Sequence, residues 1–538
     1  MKRICVNGHL PPGGPFPAYV QTIRPNPMHE PPWCGCLPPM TSDPLLVDTR
    51  SGPVQGVRSP GCSAFRGIPF AAPPVGPLRW SPPVPPERWT DVRDASKFGV
   101  AAWQSTGGPL DGLVPGMGSD DQGDDCLNLN IWTPAADSAS RPVLVWVHGG
   151  AFSLGAGSLS VYDGSRLAAA TDTVVVTFNY RLGALGFLVI DDPSTTANVG
   201  LLDQVAALAW VRDNIASFGG DPRNVTIFGE SAGGGSVLSL LAMPDARGLF
   251  HQAIVQSGAT DLLLTREKAS IVTGTFAACA GVDASDIDAL RALTPEQVLA
   301  AQGQAGGQLF ASVGTMPFHP CLDGEILPHS WQHAADTGFN PVPLVIGTTR
   351  NEMSLFAMFD PAAADLDDAG LAQRLAAIGT DAEAVTAAYE RTGTIAPPAV
   401  WGRVTTDMAM WLPALRIAEA HARHAPTWMY RFDWPAAAAG LGAPHGVDIP
   451  FPFTNIDVGG WDTFVSDPEQ AMTLASTVSR AWASFARNGK PKITGLDWPT
   501  YDSDKRATVV FDREVRVELD PDGPVRQAWT GGKQQGES

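Results

Sequence analysis

The sequence predicts an α/β protein whose mostly parallel central sheet is flanked by helices and interrupted by long insertions. Three observations carry that prediction. Several short runs stay apolar at every position, as strands do when both faces of a sheet are covered. Helical periodicity separates two of these runs, and strand, helix, strand is the unit of a parallel sheet. A glycine-flanked serine also stands where one run passes into a helix, at the sheet edge where parallel folds gather reactive groups.

Along the chain, ten of the first 40 residues are proline, with few apolar side chains between them. Such a segment cannot offset its ordering entropy by burial, so residues 1–42 are expected to be a disordered Pro-rich tail. Pro11, Pro12, Pro15 and Pro17 also break the stretch after Lys2 and Arg3, so no apolar signal-peptide core is expected there. Residues 43–538 contain no Ser/Gly linker, repeat or second charge regime, and are expected to form a single domain. The predicted strands are 143–147, 174–178, 225–228, 343–346 and 428–432. Leu201, Val205, Leu208, Val211 and Ile215 recur at helical spacing between the second and third of them.

Composition narrows the function. Lys and Arg number 36 against 55 Asp and Glu, a net charge of −19, and no basic run occurs. Phosphate backbones need clustered cations, so nucleic acid is not an expected partner. The longest apolar stretches fall far short of the roughly 18 residues that span a bilayer, so no membrane span is expected. Seven cysteines (Cys5, Cys34, Cys36, Cys62, Cys126, Cys279, Cys321) are odd in number and lack metal-site spacing. That usage suits reduced thiols in a cytoplasmic enzyme. No metal, nucleotide or flavin motif stands in a suitable context, and no cofactor is expected.

The chemistry centres on Gly229-Glu230-Ser231-Ala232-Gly233, directly after the strand 225–228 and before the apolar segment 237–241. A turn sharp enough to lift a serine Oγ clear of a sheet forces strained dihedrals and close helix–strand contact, which side chains would block. Ser231 is therefore the candidate nucleophile and Glu230 a supporting neighbour. A serine nucleophile needs preorganised donors for the oxyanion that develops on its substrate. His148-Gly149-Gly150-Ala151-Phe152 leaves the end of the strand 143–147. The N–H groups of Gly150 and Ala151, with that of Ala232, would form the hole, while His148 shapes its own loop.

With these elements the chain resembles the type B carboxylesterase family of the α/β-hydrolase fold, which includes para-nitrobenzyl esterases and cholinesterases. The resemblance is carried by Phe65-Arg66-Gly67-Ile68-Pro69-Phe70-Ala71, Asp125-Cys126-Leu127-Asn128-Leu129-Asn130, Asn179-Tyr180-Arg181-Leu182-Gly183 and the run from Asn198 through Gly233. It implies an acid after a later strand and then a histidine, in the order Ser, acid, His. Glu352, after the strand 343–346, fits the acid, with Glu325 as its rival. His445, in a polar loop after the strand 428–432, fits the general base. His421 and His424 read as helix-surface residues.

The family usually has Asp before its acid, whereas this chain has Asn351. The resemblance also suggests that Ser257 supports the acid, although a strand-end cap explains it equally well. Arg181 and Asp203 could form a buried ion pair. Cys126 lacks the disulfide partner that cholinesterases have, and residues 107–123 carry no Trp to stack choline. If register holds, Gly314 and Met316 replace the aromatics that narrow the acyl pocket in cholinesterases. Core packing explains Trp401, Met408, Met410 and Trp411 better than a gorge lining. The function implied is hydrolysis of small or medium apolar carboxylic esters through an acyl-enzyme. The alternatives are carbamate, amide or lactone hydrolysis by the same triad, and a non-catalytic binding protein on this fold.

Overall fold

The computed structural model describes residues 44–531, apart from 108–111, 113, 120, 261–262, 311 and 314–315. The expected tail and Gly314 lie outside the described residues. Among the described residues, eleven strands form the main sheet. They are β1 (Val57–Ser59), β2 (Cys62–Pro69), β3 (Asn128–Thr133), β4 (Arg141–Val147), β5 (Val174–Phe178), β6 (Gly220–Glu230), β7 (Gln252–Gln256), β8 (Leu344–Thr349), β9 (Thr427–Phe432), β10 (Ala507–Phe511) and β11 (Arg516–Leu519). Across the sheet they run β11-β10-β9-β8-β7-β6-β4-β5-β3-β2-β1.

From β10 through β5 every neighbouring pair is parallel, and the remaining pairs toward either edge are antiparallel. Leu46–Asp48, Pro53–Gln55 and Arg93–Asp94 make a separate small sheet. All five expected strands are present, each within the central parallel portion.

Alternation along the strands explains why those runs are continuously apolar. Val143, Val145 and Val147 point into one core with Val174, Val176 and Ile227, whereas Leu144, Trp146, Val175 and Phe228 point into the other. The first core is closed by helices α1 (Val199–Asn214) and α2 (Ala232–Ala242) through Leu201, Leu208, Val211, Val237 and Leu240. The second is closed by α3 (Pro468–Asn488) through Leu474, Val478, Trp482 and Phe485. Each buried aliphatic or aromatic side chain on these faces contributes on the order of 1.5–3 kcal/mol, so both helical layers are held by area rather than by individual bonds.

Helix α1 departs from the amphipathic expectation. Its stripe is buried at Leu201, Leu208 and Val211 and only half-buried at Val205, while Asp203 and Gln204 on other faces are buried too. Asp203 is tolerated there because Arg181 meets it in a two-pronged pair, Nε to Oδ2 at 2.8 Å and Nη2 to Oδ1 at 2.7 Å. The Arg181 N–H adds a third bond at 3.0 Å. This pair joins the loop after β5 to the start of α1. Among the described residues no helix is long and apolar enough to cross a membrane.

Candidate active site

Ser231 sits between β6 and α2 with φ 56° and ψ −123°, a conformation that a non-glycine residue holds only when its surroundings enforce it. Two glycines show what enforces it. A Cβ on Gly233 would lie 2.0 Å from the Val147 carbonyl oxygen, and one on Gly229 would lie 2.6 Å from the Gly233 backbone. The turn is therefore pressed against β4 and against itself, and only glycine fits at either position. The Ser231 N–H donates to the Gln256 carbonyl at 2.9 Å, tying the turn to β7 as well.

Glu352 stands just beyond β8, at the first position of a 3₁₀ segment, and is fully buried. Its Oε1 accepts hydrogen bonds from the Ser257 hydroxyl at 2.6 Å and from the Thr349 N–H at 2.7 Å. Its Oε2 lies 2.6 Å from His445 Nδ1. The His445 N–H adds a backbone tie, donating to the Glu352 carbonyl at 3.3 Å. Acid and histidine, 93 residues apart in the chain, are thus joined at both side chain and backbone. Ser257 thus bonds the acid candidate directly.

The other ring nitrogen, His445 Nε2, lies 3.3 Å from Glu230 Oε1. That contact lacks hydrogen-bond geometry, and Glu230 Oε1 has no hydrogen-bond partner. Among the described residues no hydrogen bond joins Ser231 Oγ to His445. Gly149 draws these groups together, since a Cβ there would lie 3.1 Å from Glu230 Oε2 and 3.3 Å from Ser231 Cβ. The Phe356 ring packs on the imidazole with centroids 5.4 Å apart.

The loop after β4 turns back on itself with Gly150, Ala151 and Phe152 all at positive φ. Among the described residues, the N–H groups of Gly150, Ala151 and Ala232 have no backbone acceptor outside regular helix and strand bonds. Backbone donors that fold leaves without partners are the requirement for stabilising an oxyanion. His148 anchors this loop rather than facing the cleft. It is fully buried, stacks on Tyr180 with centroids 4.5 Å apart, and its carbonyl accepts the Tyr180 hydroxyl at 2.9 Å. Burial pushes its imidazole down to about 4, so it stays neutral.

A model of the carboxylesterase family matches residues 43–526. The chain belongs to that family. This carboxylesterase is 39% identical over 489 residues to the para-nitrobenzyl esterase of Bacillus subtilis (strain 168), covering 90% of this chain and 98% of the relative. It is 36% identical to the phenmedipham hydrolase of Pseudarthrobacter oxydans over 486 residues, covering 87% and 95%. The solved structure of a thermophilic PNB esterase superposes with a TM-score of 0.80 at 39% identity, covering 90% of this chain and all of that one. The fold is accordingly the α/β-hydrolase fold.

Charge in the site of this carboxylesterase is concentrated around His445. Burial alone would depress the imidazole, but the carboxylates of Glu230 and Glu352 outweigh it, and with Asp448 they lift it to about 9. Burial pushes the Glu230 carboxyl up to about 8, and Asp448 and Glu352 add to the rise. Asp448, three residues beyond His445, is raised by burial to about 6 while accepting from Gln256 Nε2 at 2.9 Å.

Some expectations need correction. His421 is not a surface residue: it is 5% exposed at the end of its helix, with Nε2 2.8 Å from the Val342 carbonyl. His424 is exposed but lies in the turn beyond that helix. Glu325 is exposed, at a bend before the strand that leads to Glu352. Trp411 and Met410 are buried, whereas Met408 is 40% exposed. Three contributors were not anticipated. Asp448 is one. Gln104 is another, bonding both Gly155 N–H and carbonyl at 2.9 and 3.0 Å to pin the loop that carries Gly150. Phe356 is the third. Asp448 alone left a usable trace, a carboxylate one short turn past the candidate base.

Proposed function

We propose that this carboxylesterase hydrolyses small or medium apolar esters through an acyl-enzyme on Ser231. The observation that carries the reading is the 2.6 Å contact between His445 Nδ1 and Glu352 Oε2 beside the strained turn that presents Ser231. His445 acts as general base. Its Nε2 exchanges the Glu230 contact for Ser231 Oγ, takes the hydroxyl proton, and the alkoxide attacks the ester carbonyl. Catalytic hydrogen bonds of this kind are commonly loose without substrate and tighten as it binds.

The N–H groups of Gly150, Ala151 and Ala232 receive the tetrahedral oxyanion, each such donor being worth roughly 10²–10³ in rate. Glu352, held by Ser257 and Thr349, fixes the imidazole tautomer and stabilises the imidazolium. The imidazolium then gives its proton to the leaving alcohol, and water, deprotonated by the same ring, releases the acid. Glu230 supports the ring by charge. Phe356 and Val114, which lies against Gly446, flank His445 with apolar surface. Those walls favour apolar ester groups. Sparse, odd-numbered cysteines support a cytoplasmic setting.

Matched para-nitrophenyl ester and para-nitroanilide substrates of equal acyl length test the reaction class. Ester turnover exceeding anilide turnover by at least ~10³ is expected, because the poorer leaving group needs more help than one general acid supplies. Comparable rates on the two would favour the amidase alternative. The pH profile tests the base. A protonated ring cannot accept the serine proton, so kcat/KM falls with falling pH, and the carboxylates around His445 place the midpoint above the ordinary histidine value of about 6.5. A profile flat from about pH 5 to 8 would remove His445 as base.

A further inference from the structure

One contact at the junction of acid and histidine loops involves neither proposed catalytic side chain. Asn351, immediately before Glu352, grips Ala443 at two points. Its N–H donates to the Ala443 carbonyl at 2.9 Å, and its Oδ1 accepts the Ala443 N–H at 3.1 Å. Ala443 is buried and lies two residues before His445. The fit is close: a Cβ on Gly442, which has φ 59°, would lie 2.3 Å from Asn351 Oδ1. The Ser354 hydroxyl, 2.6 Å from the Leu441 carbonyl and 2.7 Å from that of Asn351, closes the same junction from the other side.

We propose that Asn351 is a positioning residue for the reaction. Its oxygen and N–H together hold the loop that carries His445 in register with the loop that carries Glu352, and its neutrality spares that pair a further negative charge. The inference rests on the roles assigned to Ser231, Glu352 and His445. The register matters because the 2.6 Å contact between acid and imidazole spans two loops that regular sheet bonds do not join. A displacement of about 1 Å between groups of this kind costs on the order of 10²-fold in rate.

The charge matters because His445 already faces Glu352 from the loop after β8, Glu230 from the end of β6 and Asp448 from its own loop. Tyr430 of β9 reaches Asp448 at 3.4 Å, and Arg350, the nearest cation in the chain, is turned to Asp433 at 2.9 Å. An aspartate at 351 would add a fourth carboxylate with no cation free to offset it among these groups.

Two variants separate grip from charge. Asn351→Asp keeps the accepting oxygen, so kcat on the alkaline plateau should stay within about threefold of wild type. The acidic limb of kcat/KM should move up by roughly half a pH unit or more, since added negative charge favours the imidazolium. Asn351→Ala removes the oxygen, and kcat should fall at least about tenfold with KM within about twofold, because positioning acts on the chemical step rather than on substrate affinity. A limb that stays in place in Asn351→Asp, or a plateau kcat within twofold of wild type in folded Asn351→Ala, overturns the proposal.

Should Asn351→Ala fail to fold, the near-isosteric Asp variant decides alone, by whether its limb moves while its plateau is kept. Ser231→Ala in the same assay keeps two failures apart. If it retains activity, the reading of the site is wrong. If it is inert while both Asn351 variants behave as wild type, only the role of Asn351 is wrong.

Discussion

Replacing Ser231 by alanine is expected to lower kcat by at least ~10³ while KM changes little. Nucleophile and base act as a unit, so losing either removes nearly the whole advantage of the pair and leaves only the contribution of binding and of the oxyanion donors. The backbone of this turn does not depend on the serine side chain. The φ of 56° at this position is imposed by the close approach of Gly229 and Gly233 to β4 and to each other, not by the serine side chain. Alanine pays the same local strain, and the turn, α2 and the Ala232 N–H stay where they are. Single-turnover and steady-state rates on one para-nitrophenyl ester, with a thermal melt as control for folding, measure the loss. Activity within tenfold of wild type would refute Ser231 as nucleophile.

Glu352→Gln should cost about as much, on the order of 10⁴ in kcat, for a different reason. Oε1 of Glu352 accepts from both Ser257 and Thr349, so the glutamine carbonyl is drawn to that side. Its NH₂ then faces His445 Nδ1 where Oε2 stood. A donor in that place forces Nδ1 to accept and leaves the proton on Nε2, the tautomer that cannot take a proton from Ser231. Because all three hydrogen bonds survive in number, stability should change little while turnover collapses. That split distinguishes tautomer control from a general loss of structure. A variant that keeps kcat within tenfold would show that Glu352 does not orient the base.

How far these residues were legible depended on whether a local physical rule marks them. Strands buried on both faces must be apolar throughout, so β4, β5, β6, β8 and β9 could be read from runs such as Val143 to Val147. The serine turn was legible because its geometry admits only glycine at Gly229 and Gly233. Glu352 and His445 carry no such local mark; their order after Ser231 and their likeness to a family pointed to them. Apart from the Arg181–Asp203 pair, most contacts between distant polar groups were not legible. Gln104 reaches Gly155, and Asn351 reaches Ala443, through paired hydrogen bonds that impose no period on the sequence. His421 looked exposed because a histidine ending a helix usually is, yet the Val342 carbonyl gives its ring a buried partner.

A second carboxyl group lies close to the candidate base. His445 Nε2 lies 3.3 Å from Glu230 Oε1, and burial pushes the Glu230 carboxyl up to about 8. Above that value Glu230 ionises and the imidazolium is held more firmly.

The most direct measurement is covalent capture by a reactive phosphonate ester, read as intact mass and then mapped by peptide fragmentation. One equivalent should attach to each chain, the adduct should lie on Ser231, and the rate of capture should fall below the pH at which His445 takes up its proton. Capture on another residue, or none under conditions in which the protein still hydrolyses esters, would contradict the account.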